Sequence, residues 1–488
     1  MLRRLAAALV CLCAGLAAAP PSAGAFDVDF FGFILTDDRW TVQGASAFTY
    51  AENWFNIGVK AKIDDHVGLY GDILLVNTNI TENNITIQDQ QNRTLTDPVQ
   101  LWVDQAYLSM TGLGWKGLDV RIGKQRVAWG TADRFNPTDH LNPNDMHDPI
   151  DFGKKVPTVG VLATVYAGPI TLIGVLMPFY EPMVLPITDL HGIFQAQFKS
   201  QSKRLVIDTG NASLNSTVRA MMGPALATAK LGELTIDSEL PVTKPANMQA
   251  GFKIAGRAGL VDLSACYEYV LDDFGVPKDV VIGVPDPLNI RTINVDVTQT
   301  FPRLHLIGGD LAASLPFLWD VGVWAEGAYF IPQRVTTTYE TDVGMFNQYL
   351  IDKGGHYGTK GVVIGYDHPT NEGYFKLTAG FDYTFPGAWY LNAQYVRGLP
   401  NEDTNATVGN YVFAGIDKPF FYESLKTRLF GGFNFDDHSW MLLPQITYVP
   451  FKSIELILGS LLIFGDLGTK FGAFGNSIMF AKAKVSFQ

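Results

Sequence analysis

Apolar and polar residues alternate along this chain from one end to the other. In the closing stretch GNSIMFAKAKVSFQ, one set of positions reads Met479, Ala481, Ala483, Val485 and Phe487, and the interleaved set reads Phe480, Lys482, Lys484 and Ser486. In NIGVKAKI, Ile57, Val59, Ala61 and Ile63 alternate with Asn56, Gly58, Lys60 and Lys62. GYFKLTAGFDYTF, LKTRLFGGFN, MQAGFKIAGR, VDLSACYEY and DVGVWAEGAYF follow the same rule. Successive side chains of a strand point to opposite faces, so each segment predicts a strand with one greasy and one polar side. A soluble sandwich shows that alternation too. Length separates the cases, because most segments run about ten residues, what a tilted strand needs to cross a bilayer. Residues 157–180 are uncharged and long enough for a membrane helix, but Gly168-Pro169 interrupts them and Val, Thr, Ile and Tyr crowd the flanks. They read as two strands joined by a tight AGP turn.

The connections alternate as well. Short turns (Asp64-Asp65-His66, Gly256 to Gly259, Pro316 to Trp319, Pro386-Gly387) take turns with long polar stretches at 78–98, 130–157, 180–246, 271–302 and 331–372. That parity predicts an all-β fold: a transmembrane antiparallel β-barrel with short periplasmic turns and long extracellular loops. With both termini periplasmic, Gly465 to Gly475 lies outside, Pro450 to Ser453 inside, and a strand is required at 410–420. Counting from Arg39 gives about 18 strands, an even number as bacterial barrels have; 16 is the alternative, because the segments near FFGFIL are ambiguous. Trp389, Tyr395, Trp440 and Tyr448 fall near strand ends, where amphipathic rings favour the interface.

The N-terminus reads as an export signal over 1–25. Arg3 and Arg4 precede the apolar LAAALVCLCAGLAAA, and Ala23-Gly24-Ala25 forms a cleavage site, leaving 26–488 as one barrel domain. Cleavage after Ala25 leaves Cys266 as the sole cysteine and 34 basic against 48 acidic residues. An exported acidic chain is a poor nucleic-acid binder. The closing aromatic, Phe487, resembles the signal read by the barrel-assembly machinery, here one position from the end.

Face assignment yields a lumen list. Its basic members are Lys60, Lys62, Arg121, Lys253, Arg257, Lys376, Lys426, Arg428, Lys482 and Lys484. Its acidic members include Asp72, Asp119, Asp262, Glu268, Asp310, Glu326, Asp382 and Glu455. Charges on a narrow pore select ions by sign, whereas opposite charges on adjacent strands merely brace the wall. Lys482 and Lys484, with Lys60 and Lys62 across the closing seam, are the expected unpaired basic patch. The most distinctive stretch is RIGKQRVAWGTADRFNPTDHLNPNDMHDPIDFGKKVP, 121–157, rich in Asp, Asn and Pro. Such a loop stabilises its own turns and is expected to fold inward or lid the mouth. Asp139, Asn142, Asp145, Asp148 and Asp151 offer oxygen ligands for Ca²⁺, and His140 and His147 offer zinc ligands, but neither spacing matches a known site, so no metal is assigned. Strict alternation turns Lys124 and Arg126 toward lipid or lipopolysaccharide phosphates, and a bulge at Gly123 would return them to the lumen.

The string R-x-G-K-Q…WG…D…P-D…NP-D, with FPRLHLIGGDLAASL and WAEGAYF, resembles the porin-like outer-membrane proteins of the alginate-export type. The resemblance implies a barrel passing solutes or polymers, and it sets Arg121, Lys124, Gln125, Trp129, Asp139, Asn142 and Asp145 on the shared loop motif. Exporters of that type carry a dense basic belt, whereas this lumen list mixes both signs. Within 180–246, LNSTVRAMMGPALATAKLGEL has helical composition broken by Gly223-Pro224 and is expected to plug or lid the pore, or to form a mobile loop. The apolar inner face of the 158–178 hairpin either receives this insert or lines a greasy path.

No G-x-S-x-G or convergent Ser, His and acid supports an enzyme, and no C-x-x-C-H supports a haem; no cofactor is assigned. The expected function is an outer-membrane, porin-like channel for passive diffusion of small polar or anionic solutes, narrowed by inward-folded extracellular loops. Two alternatives stand: a structural barrel sheathing a periplasmic or lumen-bound partner such as an electron-transfer cytochrome, and a transporter of hydrophobic molecules or exported polymer. Outer-membrane lipid and lipopolysaccharide are the expected surroundings.

Overall fold

The computed structural model describes residues 27–42, 47–78, 92, 95, 97–148, 150–151, 153–185, 207–286, 288, 291–367 and 372–488. The export signal lies outside them. Alternation becomes β1 (Asp27–Thr41), β2 (Phe48–Lys62), β3 (Val67–Thr78), β4 (Val99–Met110), β5 (Leu118–Gln125), β6 (Thr158–Ala167) and β7 (Ile170–Met177). β8 (Lys230–Glu239) stands apart from the barrel, which resumes with β9 (Gln249–Ala258) and β10 (Val261–Leu271). After β11 (Val276–Gly283) and β12 (Thr292–Thr300), the wall continues with β13 (Arg303–Leu315) and β14 (Val321–Pro332). β15 (Thr337–Asp342) and β16 (Val362–Asp367) lie outside it again. The wall closes with β17 (Tyr374–Phe385), β18 (Trp389–Arg397), β19 (Asn410–Phe420), β20 (Leu425–Asn434), β21 (Trp440–Phe451), β22 (Ile454–Phe464) and β23 (Ile478–Phe487).

Eighteen of these strands form one closed antiparallel sheet, sealed where Gly32–Thr41 of β1 pairs with Phe487–Ile478 of β23. The required strand at 410–420 is β19, and the uncharged 158–178 segment is the β6–β7 hairpin. The first strand begins earlier than the count from Arg39 assumed. FFGFIL lies inside it, between the inward Asp27 and Asp29 at its near end and the inward Asp37 and Arg39 at its far end. Short turns and both described termini share one end, and the long connections share the other.

Register fixes the faces. The outward set exposes a band of large apolar side chains around the wall, including Phe30, Phe55, Leu75, Leu176, Phe252, Ile307, Phe375, Leu429, Leu458 and Val485. Water does not tolerate so extended an apolar belt, and lipid requires it, so the barrel spans a membrane. Trp389, Tyr395, Trp440 and Tyr448 are exposed at its margins.

Three long connections do not stay loops. The described parts of 178–248, 272–302 and 333–373 assemble a second sheet in the order β16-β15-β11-β12-β8, with β11–β15 and β12–β8 parallel. Helix α1 (Ala212–Thr228) covers one face, and a short α2 (Asn347–Asp352) joins it. Leu214, Val218 and Met222 of α1 pack with Leu231, Ile282, Ile293, Val295, Leu350 and Ile364, a core that takes no residue from the barrel wall. The insert expected to plug the pore by itself is therefore, over 207–239, one third of a cap built jointly from three loops. α1 runs through Gly223-Pro224, where composition predicted a break. Full burial of Leu214, Val218 and Met222 offsets the one backbone hydrogen bond that Pro224 cannot make.

Candidate functional site

The connection 126–157 turns into the barrel. Asn142 ties its two ends: its Oδ1 accepts from Val127 N at 2.7 Å, and its Nδ2 donates to Val156 O at 3.0 Å and Thr158 Oγ1 at 2.9 Å. Glu326, inward on β14, then clamps the near limb. Its Oε2 accepts from Thr131 N at 2.9 Å, Ala132 N at 3.0 Å and Asn136 Nδ2 at 3.2 Å, and its Oε1 from Thr138 N at 2.8 Å and Thr138 Oγ1 at 2.7 Å. Thr378 donates to Phe135 O at 2.7 Å, Gln394 to Asp133 O at 2.9 Å, and His140 N to Glu268 at 3.2 Å. The loop thus touches β10, β14, β17 and β18.

The far limb is pinned by an ion cluster at the closing seam. Arg39 lies over the Tyr50 ring, 4.1 Å from its centroid, and donates to both oxygens of Asp37 and of Asp148, at 2.6 to 3.0 Å. Lys482 joins from β23, 2.8 Å from Asp37 and 3.5 Å from Asp148. Two cations and two anions, Arg39 and Asp37 buried and Asp148 and Lys482 half-buried, balance one another, so none is left as an uncompensated buried charge. Burial would raise the Asp148 carboxyl, but the Arg39 hydrogen bonds and charge, with Lys482, hold it well below the ordinary range. Asp139, buried and facing Glu326, is pushed up to about 6 despite Lys155 and Lys253. His140, buried beside Lys376 and Lys155, is pushed well below its ordinary value.

Apolar packing completes the closure. At the loop end, inward Val175, Val270, Leu304, Leu306, Phe330 and Tyr374 bury against Trp129 and Leu141 of the loop. On the other side, Val396, Tyr411, Phe413, Met441 and Phe480 bury against Phe135, Ile150, Leu399 and Phe471, the last two from neighbouring loops. The 158–178 hairpin accordingly receives the 126–157 loop, through Leu162, Ile173, Val175 and Met177, and among the described residues no part of the 180–246 insert joins that cluster. Beside the loop the interior holds two cavities of mixed polar and apolar lining, of about 1230 and 590 Å³, that share Phe33, Trp54, Arg134, Asp151 and Lys154 in their walls.

Every residue of the lumen list faces inward by register, but the cations do not form the expected free patch. Lys482 belongs to the Arg39 cluster, and Lys62 pairs with Asp65 at 2.8 Å. Lys60 and Lys484 lie over the Phe31 and Phe33 rings, opposite Asp29 and Glu455 in register but forming no ion pair among the described residues. Lys253 pairs with Asp310 at 3.1 Å, and Arg428 with Asp417 at 2.7 Å. Lys376 is buried, donating to Leu399 O at 2.8 Å, and so holds a loop in place of facing a solute. Arg257 lies 3.7 Å from Asp262 near the turn end; Lys426 is exposed there, and Arg121 stacks over Tyr107. Asp382 also faces inward.

On the loop motif, Gln125, Trp129, Asp139 and Asn142 are buried. Lys124 points outward, because the β4–β5 and β5–β6 registers run through Gly123 without a shift. The bulge lies on β4 instead, between the partners of Asp72 and Ile73. Arg126, beyond the strand end, turns inward to Asp104. The carboxylates weighed for Ca²⁺ diverge, Asp145 toward Lys154 and Asp148 toward Arg39. His147 approaches Glu52 at 3.3 Å, and no group of three metal-binding side chains forms among the described residues. Sequence reasoning passed over Arg39, Asp37 and Asp104. The only signal was an acid and a base two residues apart on one strand face.

No family model matches the chain, and no curated protein matches it. Among solved structures it is similar to OccK9 (OpdG) of Pseudomonas aeruginosa, at 10% identity and a TM-score of 0.46 over 95% of this chain and 97% of that one. It is also similar to OccK8 (OprE) of the same organism, at 11% and 0.45 over 94% and 98%. Salmonella typhi OmpF, solved with daunomycin, follows at 10% and 0.37 over 94% and 97%. At these values the assignment as a barrel rests on the chain's own strand pairing.

Proposed function

We propose that the chain is a bacterial outer-membrane channel for passive diffusion of small polar or anionic solutes, with the short turns in the periplasm and the cap outside. One observation carries the reading: interior cavities of mixed polar and apolar lining end at a plug that inward-folded loops build against the wall. Loops can move while the hydrogen-bonded wall stays intact, so the plug works as a gate. Lys60 and Lys484, which close no ion pair among the described residues although Asp29 and Glu455 lie opposite them in register, supply the bias toward anions. The mixed signs of the remaining wall fit small solutes better than an alginate-like polyanion. The sheath alternative is set aside because a cavity of about 1230 Å³ is too small for a folded partner.

Single-channel recording of the purified barrel in a planar bilayer under a salt gradient tests this. Brief openings are expected, with a reversal potential favouring anions, and Lys484→Glu should move that potential toward cations. A barrel that inserts and never conducts would sink the proposal.

A further inference from the structure

One seam of the wall is incomplete. β4 pairs with β3 along its whole length, but with β5 only from Ala106–Met110 against Val120–Lys124. Among the described residues nothing pairs with Val99–Gln105 on that side. The chain causes this by leaving β5 at Gln125 and turning inward. At the same height β4 carries its bulge, with Asp104 as the extra residue opposite Asp72 and Ile73.

Side chains take the place of the missing ladder. Arg126 donates from Nη1 and Nη2 to Asp104 at 2.7 and 2.6 Å, from its backbone N to Gln105 Oε1 at 3.1 Å, and from Nε to Lys155 O at 2.6 Å. At the foot of the seam Gly123 has φ 134°, and a Cβ there would lie 2.3 Å from Ala106 O, so the strands part just above a point where only glycine fits. Behind the ion pair lies the cavity of about 1230 Å³, walled by Trp54, Tyr70, Leu74 and Trp129 as well as by Asp104 and Arg126. In front lie Leu101, Ile122 and Val159 of the exposed apolar band. An unpaired strand edge is costly against lipid and tolerable where it borders a cavity that water can fill.

We infer that this seam is a lateral portal between the interior cavity and the surrounding lipid, latched by Asp104 and Arg126. Its user is amphipathic, with an apolar body and a small charged or hydrogen-bonding head. A fully polar solute has no path through the apolar band. A fully apolar one would leave Asp104 and Arg126 without partners once they separate. The portal rests on the membrane-spanning reading of the barrel but not on axial conduction.

The test uses the full-length protein in liposomes preloaded with 11-(dansylamino)undecanoic acid, following the saturable part of tryptophan-to-dansyl energy transfer in stopped flow, with axial conductance recorded on the same preparation. Asp104→Asn and Arg126→Gln should each speed probe entry by roughly fivefold, the factor a partly exposed ion pair supplies. Because both side chains also wall the interior cavity, any change in conductance should be much smaller than the change in entry. The double exchange Asp104→Arg with Arg126→Asp should return entry toward the wild-type rate. Unchanged entry in the single variants, or no saturable signal in any of them, overturns the portal. So does a parallel rise in conductance, or an exchanged pair that stays fast, because either outcome reports general loosening. A wild type that admits the probe but never conducts leaves the portal standing and removes only the channel.

Discussion

At the scale of single residues, Glu326 shows how a barrel side chain becomes a loop clamp. Alternation in DVGVWAEGAYF was enough to turn it inward, and register agrees. Its partners, Thr131, Ala132 and Thr138, are nearly two hundred residues away in sequence, so nothing local marks it as a clamp. Glu326→Ala would strand three backbone N–H groups in a site that is 1% exposed. Each such orphan costs about 1–3 kcal/mol, with half-buried Thr131 and Ala132 at the low end and buried Thr138 at the high end, so a loss of roughly 3–5 kcal/mol is expected. Denaturant titration followed by Trp129 fluorescence measures it, and longer channel openings should accompany it. The same distance effect misled the reading of Lys482. On its own strand it looks like a free cation beside Lys484, but Asp37 and Asp148 reach it from the other end of the chain.

At the scale of the element, the 126–157 loop carries two buried titratable groups whose pH effects oppose each other. Asp139 titrates near 6 when docked and near 3.8 when free, so the docked loop holds the extra proton between those values and docking strengthens as pH falls through that window. Docked His140 excludes a proton that the free ring binds below about 6.5, so docking weakens as pH falls past that point. Below about pH 6 the two oppose each other, and below about 3.8, where Asp139 is protonated docked or free, its contribution no longer changes. Asp148 stays charged throughout, so the Arg39 latch persists. Asp139→Asn should therefore make docking weaken steadily below pH 6.5, and His140→Phe should make it strengthen toward pH 4. Open probability recorded against pH reads both signs. A strengthening wild-type loop below pH 4 would contradict the assignment.

At the scale of the molecule, barrel and cap have separate cores, so damage to one should spare the other. Leu214 is fully buried in the cap, and Leu214→Ala should cost about 2–5 kcal/mol there. Limited proteolysis should then nick the cap connections faster while the barrel still inserts, with its conductance retained. Loss of the whole barrel would mean the two cores fold as one.

What the amino-acid order determined by itself is the wall. Membrane strands need only a period of two, a length near ten residues and an apolar outer face, and each is a local property visible in segments such as LKTRLFGGFN and GYFKLTAGFDYTF. Loop parity then supplied the topology and even the strand at 410–420. Only the tertiary structure decided what fills and caps that wall. The plug, the Arg39 cluster, the cap and the Asp104–Arg126 seam all join residues far apart in sequence. Their energies come from desolvated charges and apolar contacts that exist only once the sheet has closed, and no periodicity along the chain records them.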